Sequence, residues 1–141
     1  MKKSIPDIQQ ELVDEFGMFT DRMQKYEYII EMGKDLEPLP DDKKVDSALV
    51  KGCQSQVWLH ADQQDDVVKF EADSDAFIVR GLVSMLLRLF DGQSKKEVAN
   101  ANLDFIKEIG LQDMLSPTRA NGLASMIKQM KLYAIALQAK Q

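Results

Sequence analysis

The chain holds one cysteine, Cys53, and one histidine, His60, and these two residues limit its nucleophilic chemistry. Cys53 lies in Val-Lys-Gly-Cys-Gln-Ser-Gln-Val-Trp, residues 50–58. Taken alone, an unpaired cysteine is most often a small buried hydrophobe. Its flanks argue for a loop instead. Gly52 permits a sharp or left-handed turn, and Gln54, Ser55 and Gln56 are all polar. Lys51 beside the thiol would favour the thiolate, the nucleophilic form. A hydrolase-type nucleophile needs a histidine base held by a third group. His60 is seven residues on, at the far end of an expected strand, and an extended chain of that length spans about 20 Å. Disulfide exchange usually wants a resolving cysteine, which the sequence lacks. One cysteine and one histidine cannot make up a zinc or iron–sulfur ligand set, so no metal ligand is assigned. Two readings stay open for Cys53: an inert packed side chain, or a thiol that accepts a sulfur atom from one protein and passes it to another.

The rest of the composition is that of an ordinary globular protein, with 45% apolar and 29% charged residues in a chain of 141. Residues 1–141 read as one domain. The net charge of −5 argues against a nucleic-acid partner, which would want a basic footprint. Residues 1–75 carry 18 acidic and 9 basic side chains, whereas residues 76–141 carry 5 and 9. That asymmetry serves either a charged protein partner or the packing of one half on the other. Two lysines near the N-terminus begin like a signal peptide, but no apolar run follows them. The most apolar stretch, residues 76–90, contains Arg80 and Arg88 and is too short to span a bilayer. A cytoplasmic protein without a membrane segment is expected.

Periodicity supplies the elements that must position Cys53. A helix is expected over residues 5–16, capped by Ser4, with Ile8, Leu12 and Phe16 on one stripe. A second follows Asp21, its stripe formed by Met23, Tyr26 and Ile30, with Gly33 as its stop. The proline- and acid-rich residues 36–42 form a loop. Residues 48–51, 57–61 and 67–72 alternate as three short strands of an antiparallel meander, turning at residues 62–66. The five residues of that turn lack the glycine and terminal glutamate of a calcium loop. Val57, Leu59 and Ala61 share a face with Val68, Phe70 and Ala72, leaving Trp58 and His60 on the other. Ser74 and Asp75 cap a long apolar helix ending near Gly92. Ser94 to Glu97 reads as a capping box, residues 103–109 as a short helix, and Ser116-Pro117 as the start of a final amphipathic helix. The expected fold class is α+β: a small antiparallel β-sheet packed against several helices.

The segment Gly52-Cys53-Gln54-Ser55-Gln56-Val57-Trp58 resembles the signature of the SufE-like sulfur acceptors. Residues 26–33 (Tyr-Glu-Tyr-Ile-Ile-Glu-Met-Gly), 73–82 (Asp-Ser-Asp-Ala through Gly-Leu) and 115–123 (Leu-Ser-Pro-Thr-Arg through Gly-Leu) are similar to family segments in the same order. The resemblance implies the fold shared with NifU/IscU-type scaffolds. It implies that Cys53 takes persulfide sulfur from a pyridoxal-phosphate cysteine desulfurase of the SufS or CsdA type, stimulates that enzyme, and delivers sulfur to an iron–sulfur scaffold complex. The pyridoxal phosphate would belong to the partner, and this chain would need no cofactor of its own. The cysteine loop of the family can be tucked in or swung out.

Two more residues gain a reading from the resemblance. Arg119 falls in the Ser-Pro-Thr-Arg segment and either supports the thiolate and its loop or pairs with the acidic half of the chain. Asp75 matches the second acid of Asp-Ser-Asp, near the surface the family offers to the desulfurase, and is equally a first-turn helix acid. The methionines fall at helical spacing as core filler, and Trp58 reads as packed rather than as a partner contact. A scaffold-like role for the chain is disfavoured by its single thiol. The choice of desulfurase is left open, as is the oligomeric state, a homodimer included.

Overall fold

The computed structural model describes residues 2–140. Among them the chain runs α1 (Ile5–Phe16), α2 (Arg22–Lys34), β1 (Val57–Gln64), β2 (Val67–Ser74), α3 (Phe77–Phe90), α4 (Lys95–Asn100), α5 (Phe105–Glu108), α6 (Leu111–Met114) and α7 (Pro117–Ala139). The fold class is α+β. Two short 3-10 turns, Asp41–Lys43 and Asp46–Ala48, lie between α2 and the sheet.

Helix ends follow the local chemistry. Ser4, Asp21, Ser94 and Ser116 each accept a hydrogen bond from the amide three residues on, satisfying an otherwise orphaned first-turn donor. Gly92 and Gly110 adopt positive φ where the chain reverses. The expected helix over residues 103–109 is shorter, and α6 follows Gly110 as a separate turn that its four residues are too few to announce.

β1 and β2 form an antiparallel hairpin with Leu59 opposite Ala72 and Ala61 opposite Phe70. Its inner face carries Val57, Leu59, Val68, Phe70 and Ala72 into the core, as the alternation requires. The third strand of the expected meander is absent among the described residues. Residues 46–48 form a 3-10 turn, and the chain touches β1 through one bridge, Leu49 to Trp58, and the Val50 N–H to Val57 O bond. The 3-10 turn before Leu49 and the turn at Lys51 and Gly52 leave only Leu49 and Val50 between them, too few for a strand. The outer face is covered as well: Trp58 packs with Leu39, Ala48 and Leu49 beneath the Lys44 ammonium, 5.5 Å from the ring centre.

α3 is the central helix, burying Ile78, Leu82, Met85, Leu86 and Leu89 among the sheet and its helical neighbours. It meets α2 backbone to backbone. A methyl group on Gly33 would stand 2.7 Å from the Gly81 nitrogen, and one on Gly81 would stand 2.0 Å from the Ile29 carbonyl oxygen. Gly33 is therefore no stop signal. It sits inside α2 to let the two helices touch, and the helix ends one residue later. The stripe of α2 is correspondingly rotated, so that Ile29 is buried and Met23 is exposed.

Candidate functional site

Cys53 lies on the loop between the Leu49–Trp58 bridge and β1, and the loop folds inward over α7. Gly52 turns the chain at φ +91°, a conformation costly to any side chain with a Cβ. Its Cα approaches the side chain of Ser125 so closely that an added methyl would lie 2.5 Å from the hydroxyl oxygen. Beyond this turn the Cys53 thiol donates to the Gly122 carbonyl on α7, at 3.5 Å. Gly122, inside the helix, lies directly against the sulfur: a Cβ there would meet Sγ at 3.6 Å, ordinary van der Waals contact.

The far end of the loop is fastened by the segment that leads into α3. The Ser74 hydroxyl donates to the Gln56 carbonyl at 2.7 Å, and the Asp75 carboxylate accepts the Gln56 amide at 3.1 Å. Ser74 and Asp75 were expected to cap α3; Ser74 does reach the Ala76 amide at 3.3 Å, but both side chains chiefly hold the loop. Asp73, 1% exposed, anchors the same segment from below. Its carboxylate accepts the Leu39 and Ser74 amides and stands 3.5 Å from the Arg80 Nε and 3.8 Å from the Lys44 Nζ. The loop is thus a five-residue arch, turned at Gly52 and pinned at Gln56.

Beneath the arch is a cavity of about 50 Å³ lined by Cys53, Gln54 and Ser55 of the loop, Val79 and Leu82 of α3, and Thr118, Arg119, Gly122, Leu123 and Met126 of α7. A water-sized group needs roughly 10–15 Å³ by the same measure, so the space admits an added atom on the sulfur. The walls are mixed, with Val79, Leu82, Leu123 and Met126 apolar and Gln54, Ser55, Thr118 and Arg119 polar, and burial pushes the Cys53 thiol above its ordinary pKa. Burial is the whole cause. Lys51 is exposed and, contrary to expectation, does not lower it. Arg119 is exposed at the cavity rim, its amide capped by Ser116. Asp75 is exposed at the pinned end, Gln54 is exposed on the arch, and Ser55 is half-buried.

The loop therefore holds its thiol protonated. Protonation favours the tucked form, an advantage complete below the ordinary thiol pKa and lost as the pH rises through the raised one. Alkylation of Cys53 by iodoacetamide is expected to reach half-maximal rate at a higher pH in the folded protein than in urea. An equal or lower midpoint in the folded protein would contradict the tucked geometry.

His60 does not join the site. Its Nε2 lies 2.8 Å from the Lys43 carbonyl oxygen on the outer face of the hairpin. Gly122, Val79, Leu82 and Met126 also line the site, although they lie far from Cys53 in sequence. Only Gly122 carried a local signal, since glycine in a helix interior is unfavourable without a packing reason.

Fold and site together define an α+β protein that folds a lone thiol over a small cavity walled by α3 and α7. Residues 10–134 match the family model SufE, the Fe-S metabolism associated domain, and the chain belongs to the SufE family. It is 38% identical over 138 residues to an uncharacterized SufE-like protein of Synechocystis, covering 98% of this chain and 87% of that one. With an uncharacterized SufE-like protein of Rhizobium meliloti it shares 42% over 126 residues, covering 86% and 90%. It also shares 38% over 140 residues with the chloroplastic/mitochondrial SufE-like protein 1 of Arabidopsis thaliana, covering 98% of this chain and 38% of that longer one. The solution structure of a hypothetical protein from Thermus thermophilus has the same fold, with a TM-score of 0.77, 18% identity, and 94% and 96% of the two chains covered. Among the described residues no helix is long and apolar enough to cross a membrane.

Proposed function

We propose that the protein is a sulfur carrier. Cys53 takes sulfane sulfur from the active-site persulfide of a cysteine desulfurase and delivers it to an iron–sulfur assembly scaffold in the cytoplasm. The observation that carries this reading is the arch itself: the chain's one thiol, on a loop turned at Gly52, beside a cavity with room for one more atom.

The step balances without an oxidant or reductant. The Cys53 thiolate attacks the terminal sulfur of the donor persulfide, a new S–S bond forms at Cys53, and the donor's S–S bond breaks. The donor cysteine leaves as a thiolate, and the proton released from Cys53 is available to it. Because burial disfavours the Cys53 thiolate, attack requires the arch to open. Arg119 at the rim then faces the developing negative charge and steadies it. Once loaded, the loop returns the persulfide to the cavity, where Val79, Leu82 and Met126 shield it from water and from stray thiols. With no second cysteine in the chain, no internal disulfide can discharge it. The pyridoxal phosphate is the desulfurase's; this chain supplies the acceptor sulfur and the shelter, and by clearing the donor persulfide it stimulates the enzyme.

Intact mass after incubation with the organism's cysteine desulfurase and free cysteine tests the reading. The expected result is a gain of one sulfur atom, removed by reductant and absent from Cys53→Ala. No gain with any desulfurase of that organism would overturn it. Arg119→Ala is expected to slow both loading and Cys53 alkylation several-fold; unaltered loading together with unaltered alkylation would return Arg119 to a structural role.

A further inference from the structure

Phe77 opens α3 and is 81% exposed, the most exposed large apolar side chain among the described residues. Nothing in the fold explains it: Phe77 makes no part of the core, and α3 otherwise turns its apolar residues inward. A lone exposed apolar side chain is common on a protein surface, so it is the place of Phe77 beside the arch that is informative. It comes two residues after Asp75, which pins the Cys53 arch, and two before Val79, which walls the cavity. Val79 and Cys53 line one cavity of about 50 Å³, and two helical residues rise about 3 Å. The Phe77 backbone is thus within roughly 15 Å of Cys53. A protein that brings a sulfur atom to bonding distance of Cys53 covers an area centred on the arch. A standard interface covers about 800 Å² on each partner, a disc of roughly 16 Å radius, and Phe77 falls inside it.

We propose that Phe77 is the apolar anchor of the face that this protein offers to the sulfur-donating desulfurase. The inference rests on the carrier reading for the identity of the partner, but not for the existence of the contact. The residues on and next to the arch, Lys51, Gln54, Gln56 and Asp75, are exposed and polar. An aromatic side chain bordered by polar surface is the kind of residue that dominates binding. The anchor sets affinity, whereas Cys53 performs the chemistry, so the two functions separate in experiment.

The test measures binding of the organism's cysteine desulfurase to the Cys53→Ser protein with and without Phe77→Ala, by titration calorimetry. Phe77→Ala is expected to weaken binding about tenfold or more. In the Cys53-containing background it is expected to raise, by a similar factor, the concentration giving half-maximal stimulation, with stimulation at saturation unchanged. Thermal midpoint and Cys53 alkylation rate should not change, because Phe77 touches neither core nor arch. Ile135→Ala, an exposed apolar residue of α7, serves as the control and should leave both values unaltered. Unchanged affinity for Phe77→Ala, a loss shared equally by Ile135→Ala, or a loss explained by faster Cys53 alkylation would each overturn the proposal. Weakened binding without sulfur loading of the wild type would instead uphold the docking face and remove the carrier reading.

Discussion

Replacing Cys53 by serine is expected to abolish sulfur loading and desulfurase stimulation while leaving fold and docking intact. A serine hydroxyl is not ionised at neutral pH, and no other thiol in the chain can substitute. The fall in loading should be complete within detection, at least about a thousandfold in rate. The structural cost is small because the exchange is nearly isosteric. The hydroxyl keeps a donor for the Gly122 carbonyl that the thiol now reaches at 3.5 Å, and a change in stability of about 1 kcal/mol or less follows. Loading is read by intact mass, folding by thermal midpoint, and docking by calorimetry with the desulfurase. A serine variant that still stimulates turnover would show that the protein activates its partner by contact alone. Cys53 would then be the packed side chain that lone cysteines usually are.

How far the sequence discloses this site depends on the range of each interaction. The hairpin was legible because an alternation of period two acts between neighbours: Leu59 and Ala72 declare their face without reference to anything else. The caps were legible for the same reason, since Ser4, Asp21, Ser94 and Ser116 each act three residues away. The reading failed where a residue answers to a distant partner. Gly33 looks like a helix stop until Gly81 is placed against it. Residues 48–51 look like a strand until the turn at Asp46–Ala48 and the cover over Trp58 are seen. The character of Cys53 itself was the hardest to read. Lys51 is its neighbour in sequence and suggested a thiolate, whereas Gly122, 69 residues away, takes the thiol's hydrogen bond. What holds the sulfur is long-range packing, and packing raises the pKa that the adjacent charge was expected to lower.

That packing rests in turn on the crossing of α2 and α3, where the largest loss of stability is expected. Gly81→Ala places a methyl carbon 2.0 Å from the Ile29 carbonyl oxygen, and 2.6 Å from both the Ile29 carbonyl carbon and its Cγ2. Two of these three obstacles are helix backbone, which no side-chain rotation relieves. The helices must separate, and with them the contacts of Ile29, Ile78, Leu82 and Met85 loosen. Overpacking in a rigid core costs about 1–3 kcal/mol when side chains can adjust; here they cannot, and a loss above about 4 kcal/mol is expected, a large part of the roughly 5–15 kcal/mol that stabilises a domain. Gly110→Ala is the comparison. It has positive φ and no neighbour within 4 Å of the added carbon, so only the conformational term of about 1–2 kcal/mol applies. Urea denaturation of the two variants separates backbone collision from backbone strain. The effect should also reach the site, because α3 contributes Val79 and Leu82 to the wall over which Cys53 folds. Where Gly81→Ala remains partly folded, iodoacetamide should therefore label Cys53 faster than in the unaltered protein, with its pH midpoint moved down toward that of a free thiol. A variant of normal stability would mean that α2 and α3 can part without loss. One that is destabilised but keeps a slow, high-midpoint thiol would mean that α7 alone shelters the sulfur.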